Sequence, residues 1–335
     1  MVSVVAVASH AKVSPATVSR VLAGRVPVAT ETRARVLKAI EQLGYRPNEV
    51  ARSLRAGRGR SVALVTGDIE QGIYATLAKH VQGELEALGL DLVLFNLGHR
   101  QDRLRHFLER APSLGLRGIL LSSPHVMDME ELAPVMSAAA KSGIEIVSVS
   151  QDLSRYGFPS IIHDDAGGAA TATAHLVARR RTPVAFVGRI ATSAVGRARY
   201  EGYRKALKAH GQKVDPALVW DISQGYRADA GHQAMSEALA KGLRFRAVVA
   251  ASDELALGCM AAAADRGFAI PDDMAIVGFG GLAWVGFARP AMTTVALDAG
   301  AIARAVGDFF KARESGARPG KRRLIPANLV LRQSA

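Results

Sequence analysis

Val13-Ser14-Pro15-Ala16-Thr17-Val18-Ser19-Arg20-Val21-Leu22 decides how this chain begins. Ser14 is placed to cap a helix, its hydroxyl accepting from an orphan amide of the following turn. Pro15 sits at the first helical position, where its missing N–H is no loss. Val18, Val21 and Leu22 form one apolar stripe, which leaves Pro15, Ala16, Thr17, Ser19 and Arg20 for other faces. Upstream, Val4, Val5, Val7 and Ala8 read as a short helix ending near His10, with Ala11-Lys12-Val13 as the turn. Two short helices across a turn of about four residues describe a helix-turn-helix. A third helix is expected over 30–43, with Val36, Leu37, Ile40 and Leu43 on its buried face and Gly44 as its stop.

Charge supports a polyanionic partner for this segment. Residues 1–60 hold 11 Lys/Arg against 3 Asp/Glu, most of the chain's net charge of +13. A basic balance concentrated at one end is the footprint of a nucleic-acid binder. At 335 residues the chain suits two or three domains. No apolar run reaches the roughly 18–20 residues of a membrane span. The single cysteine, Cys259, excludes a disulfide framework and fits the reducing cytoplasm. The apolar opening 2–8 lacks the basic flank of a secretion signal.

The quoted stretch, with Thr32-Arg33, Leu43-Gly44-Tyr45-Arg46-Pro47-Asn48 and Ala51-Arg52-Ser53-Leu54-Arg55, resembles the LacI/GalR family of repressors. Two positions depart from the family pattern: Ala6 replaces an aspartate, and Lys12 a turn glycine. The resemblance implies a small all-α helix-turn-helix domain followed by two doubly wound parallel-sheet subdomains of the periplasmic-binding-protein type. It implies that the second helix enters the major groove. Pro15 and Ala16 then face base edges, Arg20 reads guanine or clamps phosphate, and Ser14, Thr17 and Ser19 reach phosphates. A hinge helix over 49–56, introduced by Asn48, is expected to pair with its twin through Ala51 and wedge the minor groove with Leu54. So short a helix is marginal alone and folds only against a partner.

The expected domains are 1–46, a hinge and linker over 47–60, and an effector-binding and dimerisation domain over 61–335. Apolar β-like runs at 61–66, 91–96, 118–122 and 145–149 alternate with helical stretches. After a break near 154–159 the rhythm resumes at 184–188, 247–251 and 275–278. One subdomain is expected over 61–159 and 292–324, the other over 160–291 and 325–335. Ligands of such sheets bind at strand C-termini. The candidate effector contacts there are Asp68, Tyr74, Ser150, Arg199, Tyr226, Ser252 and Gly280, with Asp253 expected to cap the next helix. Ser150 and Gly280 stand where the family carries aspartates. With both carboxylates gone and Arg199 kept, an anionic or phosphorylated effector gains over a neutral monosaccharide.

Catalytic signatures are weak. Gly278-Phe279-Gly280-Gly281 follows a strand but lacks the acidic ribose partner of a dinucleotide site, and the nine histidines show no metal-ligand spacing. The expected function is a cytoplasmic, effector-controlled repressor with no enzymatic activity, metal or cofactor. Its partners are a near-palindromic double-stranded operator, a small molecule and a second copy of itself, with no membrane. Without a leucine-heptad tail, a homodimer is expected over a tetramer. The alternative is a solute receptor of the periplasmic type without a DNA role, to which the basic segment is of no use.

Overall fold

Ser3 and Ser14 start the first two helices of the N-terminal unit. Ser3 caps α1 (Val4–His10), its Oγ accepting from the Ala6 N–H at 3.2 Å. Ser14 precedes α2 (Pro15–Ala23), and its Oγ accepts from the Thr17 N–H at 3.2 Å. A third helix, α3 (Thr30–Leu43), ends at Gly44 with φ 58°, and the Tyr45 N–H closes back on the Ile40 carbonyl at 3.0 Å. The three pack around Val7, Ala8, Val18, Val21, Val36 and Ala39. Leu37 is a correction: it is 48% exposed, because a buried face through Val36 and Ala39 puts residue 37 one 100° step off it. The computed structural model describes residues 2–23, 27–45, 59–223 and 225–335. The expected hinge segment, with Asn48, Ala51 and Leu54, lies outside them.

Lys12 adopts φ 53° in the turn between α1 and α2, a conformation that disfavours a side chain by roughly 1–2 kcal/mol. Lys12→Gly is therefore expected to stabilise the N-terminal unit by about 0.5–1 kcal/mol, net of the freedom glycine gives the unfolded chain. Amide exchange across α1 and α2 in the intact protein measures this. Unchanged protection would mean the turn is not left-handed in solution.

The second unit, Arg60–Ala335, contains two six-stranded sheets. Its first half runs β1 (Ser61–Thr66), α4 (Gly72–Glu86), β2 (Asp91–Asn96), α5 (Gln101–Arg110), β3 (Leu116–Ser122), α6 (Met129–Lys141), β4 (Glu145–Ser148) and β5 (Ser160–His163). The second runs α7 (Asp165–Ala178), β6 (Val184–Gly188), α8 (Ala194–Ala209), β7 (Val219–Asp221), α9 (Ala228–Ala240), β8 (Ala247–Ala250), α10 (Asp253–Asp265), β9 (Ala275–Gly280) and β10 (Thr293–Leu297). The chain then returns through α11 (Ala299–Glu314) and β11 (Arg322–Ile325) to the first sheet and ends the second with β12 (Ala327–Val330). The sheet orders are β11-β5-β4-β3-β1-β2 and β12-β10-β9-β8-β6-β7. All neighbours are parallel except β10 and β12.

Alternation along β1 shows the double winding directly. Val62 and Leu64 join Leu120, Val147 and Phe310 in one core. Ala63 and Val65 join Ile119, Leu121, Leu132 and Met136 in the other. Helices cover both faces, so the central strands are apolar throughout.

Two expected crossings between halves are displaced. β5 stays in the first sheet between β4 and β11, so the chain crosses at Asp164 rather than near 160. β10 stays beside β9 in the second sheet, so the return comes at Asp298 rather than near 291. The third crossing falls between Ile325 and Ala327, as expected. Both displaced strands are short, four and five residues, and too few apolar positions mark them for a sheet assignment from pattern.

Candidate functional site

On α2 the side chains of Pro15, Ala16, Ser19 and Arg20 are exposed, while Val18 and Val21 are buried. Thr17 is half-buried, and its Oγ1 meets Ser14 Oγ at 3.0 Å. The first turn therefore presents small side chains, with the Thr17 N–H capped by Ser14 and Arg20 one turn further on the surface. No acidic residue occupies that turn. Such a helix end accepts phosphate readily and lets a base edge approach closely.

A cavity of about 100 Å³ lies where the strand C-termini of the two halves meet. Six of the seven expected effector residues line it: Tyr74, Ser150, Arg199, Tyr226, Ser252 and Gly280. Pockets for small ligands run to roughly 300–1,000 Å³, so the cleft is in a closed state. Across it the Val126 N–H donates to the Thr192 carbonyl at 3.0 Å and the Ala194 N–H to Pro124 at 2.8 Å. Glu70 and Arg227 add an exposed ion pair at 3.5 Å.

Arg199 is held on several sides. Its Nε donates to Asp165 Oδ1 at 2.8 Å, its Nη2 lies 2.7 Å from the same oxygen, and its Nη1 donates to the Ala251 carbonyl. The guanidinium also lies 4.0 Å over the Phe279 ring. Of five N–H donors, three are committed. The expectation that Arg199 favours an anion needs correction, because Asp165 already matches its charge. Sequence reading missed Asp165, since it follows β5, a strand that reading did not resolve.

The other expected residues take mixed roles. Tyr226 donates to Ser193 Oγ at 2.9 Å, and Ser150 donates to the Ser123 carbonyl at 2.8 Å. Burial raises the phenol of Tyr74 far above its ordinary value and raises that of Tyr226 as well. Asp68 is not on the cavity wall; its carboxylate accepts from the Glu70 N–H at 3.1 Å. Ser252, not Asp253, caps α10, accepting from the Leu255 N–H at 3.1 Å. Asp253 is wholly buried and holds Leu282 and Thr294 instead. Gly280 has φ 141°, and a Cβ there would lie 3.0 Å from Asp253 Oδ2. An aspartate at 280 would be strained and set against another buried carboxylate, which accounts physically for its absence.

Gln71, His163 and Glu254 also line the cavity and were not expected from sequence. His163 Nε2 is buried without a partner, and burial lowers its pKa, which leaves the ring neutral. Burial raises the Glu254 carboxyl. The wall thus joins hydroxyls, the neutral His163 ring, the Arg199–Asp165 pair and the Glu254 carboxyl on an apolar frame of Leu77, Val149, Phe279 and Leu282. That composition suits a small polar molecule. No cluster of three metal-ligating side chains occurs among the described residues, and no helix among them is long and apolar enough to cross a membrane.

Comparison with known proteins assigns a family to each part of the chain. Residues 5–48 match the family described as bacterial regulatory proteins, lacI family, and residues 173–335 match a periplasmic binding protein-like domain. Catabolite control protein A of Priestia megaterium is 32% identical over 308 residues, 90% of each chain. Among solved structures, the transcriptional regulator CelR in complex with cellobiose is 29% identical over all of both chains, with a TM-score of 0.71. The lac repressor dimer bound to operator and the anti-inducer ONPF, 23% identical over 99% of this chain and 98% of that one, shares the fold at a TM-score of 0.86. With a helix-turn-helix in its N-terminal unit, a closed cleft between the two doubly wound halves of its large unit, and this identity along nine-tenths of its length, the chain belongs to the LacI family of bacterial regulatory proteins.

Proposed function

We propose that this protein is a homodimeric transcriptional repressor of the bacterial cytoplasm whose operator affinity is set by a small molecule held between the two halves of its large domain. The carrying observation is the cavity that unites Tyr74, Ser150, Arg199, Tyr226, Ser252 and Gly280 at the strand C-termini. The exposed first turn of α2 supplies the DNA surface, with Pro15 and Ala16 at base edges, Ser14, Thr17 and Ser19 at phosphates, and Arg20 at guanine or phosphate. A solute receptor gives that basic segment no role. Relatives such as catabolite control protein A and the regulator AscG of Escherichia coli are named as regulators rather than enzymes.

Exposed apolar side chains support a dimer through the large domain. The edge strand β2 exposes Val93 (38%) and Leu94 (44%), while Leu257 (38%) and Phe287 (80%) are open on the second half. Large unpaired apolar groups of this kind mark association surfaces. The lac repressor structure is itself a dimer on operator.

An effector that needs more room than the closed cleft must change the relation of the halves. In a dimer that motion moves the two copies of Ser61, where each large domain begins, together or apart, and so changes the spacing of the two DNA-binding units. The reading is tested with an operator selected from a random duplex pool. Leu54→Ala is expected to weaken operator binding by about 2 kcal/mol, roughly thirtyfold, with little change on random DNA. Equal losses on both would show that Leu54 only supports the fold. Sedimentation showing monomers with and without operator would remove the dimer.

A further inference from the structure

Arg189 directly follows β6 in the second half and reaches His125 of the first half, beside the cavity but not among the residues that line it. It is 5% exposed, yet no carboxylate lies within 4 Å of its guanidinium among the described residues. Its Nε donates to Thr192 Oγ1 at 3.2 Å, and its Nη2 lies 3.4 Å from His125 Nδ1. Nη1 is buried with no partner at all. A desolvated cation without a counter-ion is unfavourable by several kcal/mol unless something compensates it. Arg199, by contrast, has Asp165.

The opposite wall completes the arrangement. His125 and His99 come from the first half with ring centroids 6.2 Å apart. His99 Nδ1 is also buried and unpartnered, while its Nε2 meets the Gln71 amide at 3.3 Å. Burial and the nearby Arg189 charge lower both imidazoles, His99 to about 4. Both rings are therefore neutral at neutral pH, and Arg189 supplies the charge. Asp68 of the first half, whose charge acts on His99, accepts from the Glu70 N–H, and Asp221 of the second half accepts from the Ile190 and Ala191 N–H groups.

The His99 backbone is held where a side chain is disfavoured, at φ 57°. Its ring packs so closely on Gly67 that a Cβ there would sit 2.0 Å from the ring. Strain of this kind persists where the surroundings enforce it, and it clusters at binding sites. Gln71 and Tyr226 tie the arrangement to the cavity: both line it, Gln71 contacts His99, and Arg189 lies 5.9 Å from the Tyr226 ring centroid.

We propose that Arg189, with His99 and His125, forms an anion-binding end of the effector cleft, so that the effector is a small molecule carrying a phosphate or carboxylate group beside a neutral polar body. The neutral body faces His163, Ser252 and Glu254, and the oxyanion enters between the halves to accept from Arg189 Nη1 and His99. The fork geometry of arginine suits either oxyanion. This inference rests on the proposed effector function and moves the source of anion selectivity from Arg199 to Arg189.

The test is thermal unfolding of the full chain with inorganic phosphate, with glucose against glucose 6-phosphate, and with gluconate, all at matched ionic strength. Wild type, Arg189→Met and Arg189→Lys are compared. An anionic probe in large excess is expected to raise the wild-type midpoint by roughly 5 °C, with glucose giving less. Arg189→Met is expected to melt higher than wild type without ligand, because an unpaired buried charge is gone, and to lose the anion response. Arg189→Lys should keep part of that response. Which anion acts more strongly, the ester or gluconate, separates phosphate from carboxylate.

Equal responses of wild type and Arg189→Met to the anions would overturn the proposal, as would a wild-type response to none of them. A lower midpoint of Arg189→Met without ligand would also count against it, since Arg189 would then be a structural group. Operator binding is measured in parallel on the wild type. A chain that prefers no sequence over random DNA fails as a regulator, whereas a chain that selects an operator and answers only to glucose fails in the anion site alone.

Discussion

Arg199→Ala is expected to destabilise the large domain by about 3–5 kcal/mol, the usual consequence of removing one member of a buried ion pair. Asp165 and Arg199 are each about 10% exposed at the side chain, so alanine leaves the Asp165 carboxylate desolvated and alone. It also takes a donor from the Ala251 carbonyl and a cation from the Phe279 ring. Replacing both members by apolar groups of similar volume, as in Arg199→Met with Asp165→Leu, should recover much of the loss, because neither charge then remains buried. Denaturant unfolding of the single and double variants measures both. A loss under 1 kcal/mol for Arg199→Ala would mean the pair is solvated and does not brace the cleft wall. A missing effector response in that variant would not by itself identify a ligand contact, since the cleft wall is disturbed at the same time. A ligand can still use the two guanidinium N–H groups left uncommitted.

What the sequence made legible follows from how local each signal is. Ser14, Pro15 and Gly44 act through their own backbone and immediate neighbours, so helix starts and stops could be read directly. Six of the residues expected at the effector site line the cavity because strand-end loops converge wherever parallel sheets are doubly wound. The failures are non-local. Whether β5 and β10 belong to one sheet or the other depends on strand order, which no four-residue pattern encodes. Arg199 looked like a free cation because its partner is 34 residues away, beyond β5. Arg189 drew no attention because lack of a partner is a property of the folded surroundings, not of a sequence position. Asp253 was assigned to a cap since serine and aspartate are both good caps, and only the fold shows which one turns inward.

The second large effect is expected at that aspartate. Asp253 Oδ2 accepts from the Leu282 N–H at 2.9 Å and Oδ1 from the Thr294 hydroxyl at 2.5 Å, with the side chain wholly buried. It thereby pins the loop after β9, which carries Gly280 and Leu282 on the cavity wall, to the start of α10 and to β10. Asp253→Ala orphans two buried donors at roughly 1–3 kcal/mol each, so a loss of about 3 kcal/mol is expected. Asp253→Asn keeps an acceptor for Leu282 and turns its amide N–H toward the Thr294 oxygen, so most of the stability should survive. The pH dependence separates these cases further. Burial raises the Asp253 carboxyl above its ordinary value of 3.8, so its contribution is fully present below the unfolded value and is lost as pH rises through the folded one. The stability difference between the two proteins should therefore move in favour of Asp253→Asn as pH rises above about 4. Denaturant midpoints of wild type, Asp253→Ala and Asp253→Asn across the acid to neutral range provide the measurement. If Asp253→Asn falls as far as Asp253→Ala at every pH, the carboxylate is needed in its charged form. The loop would then be held by charge rather than by two hydrogen bonds to a buried carboxyl.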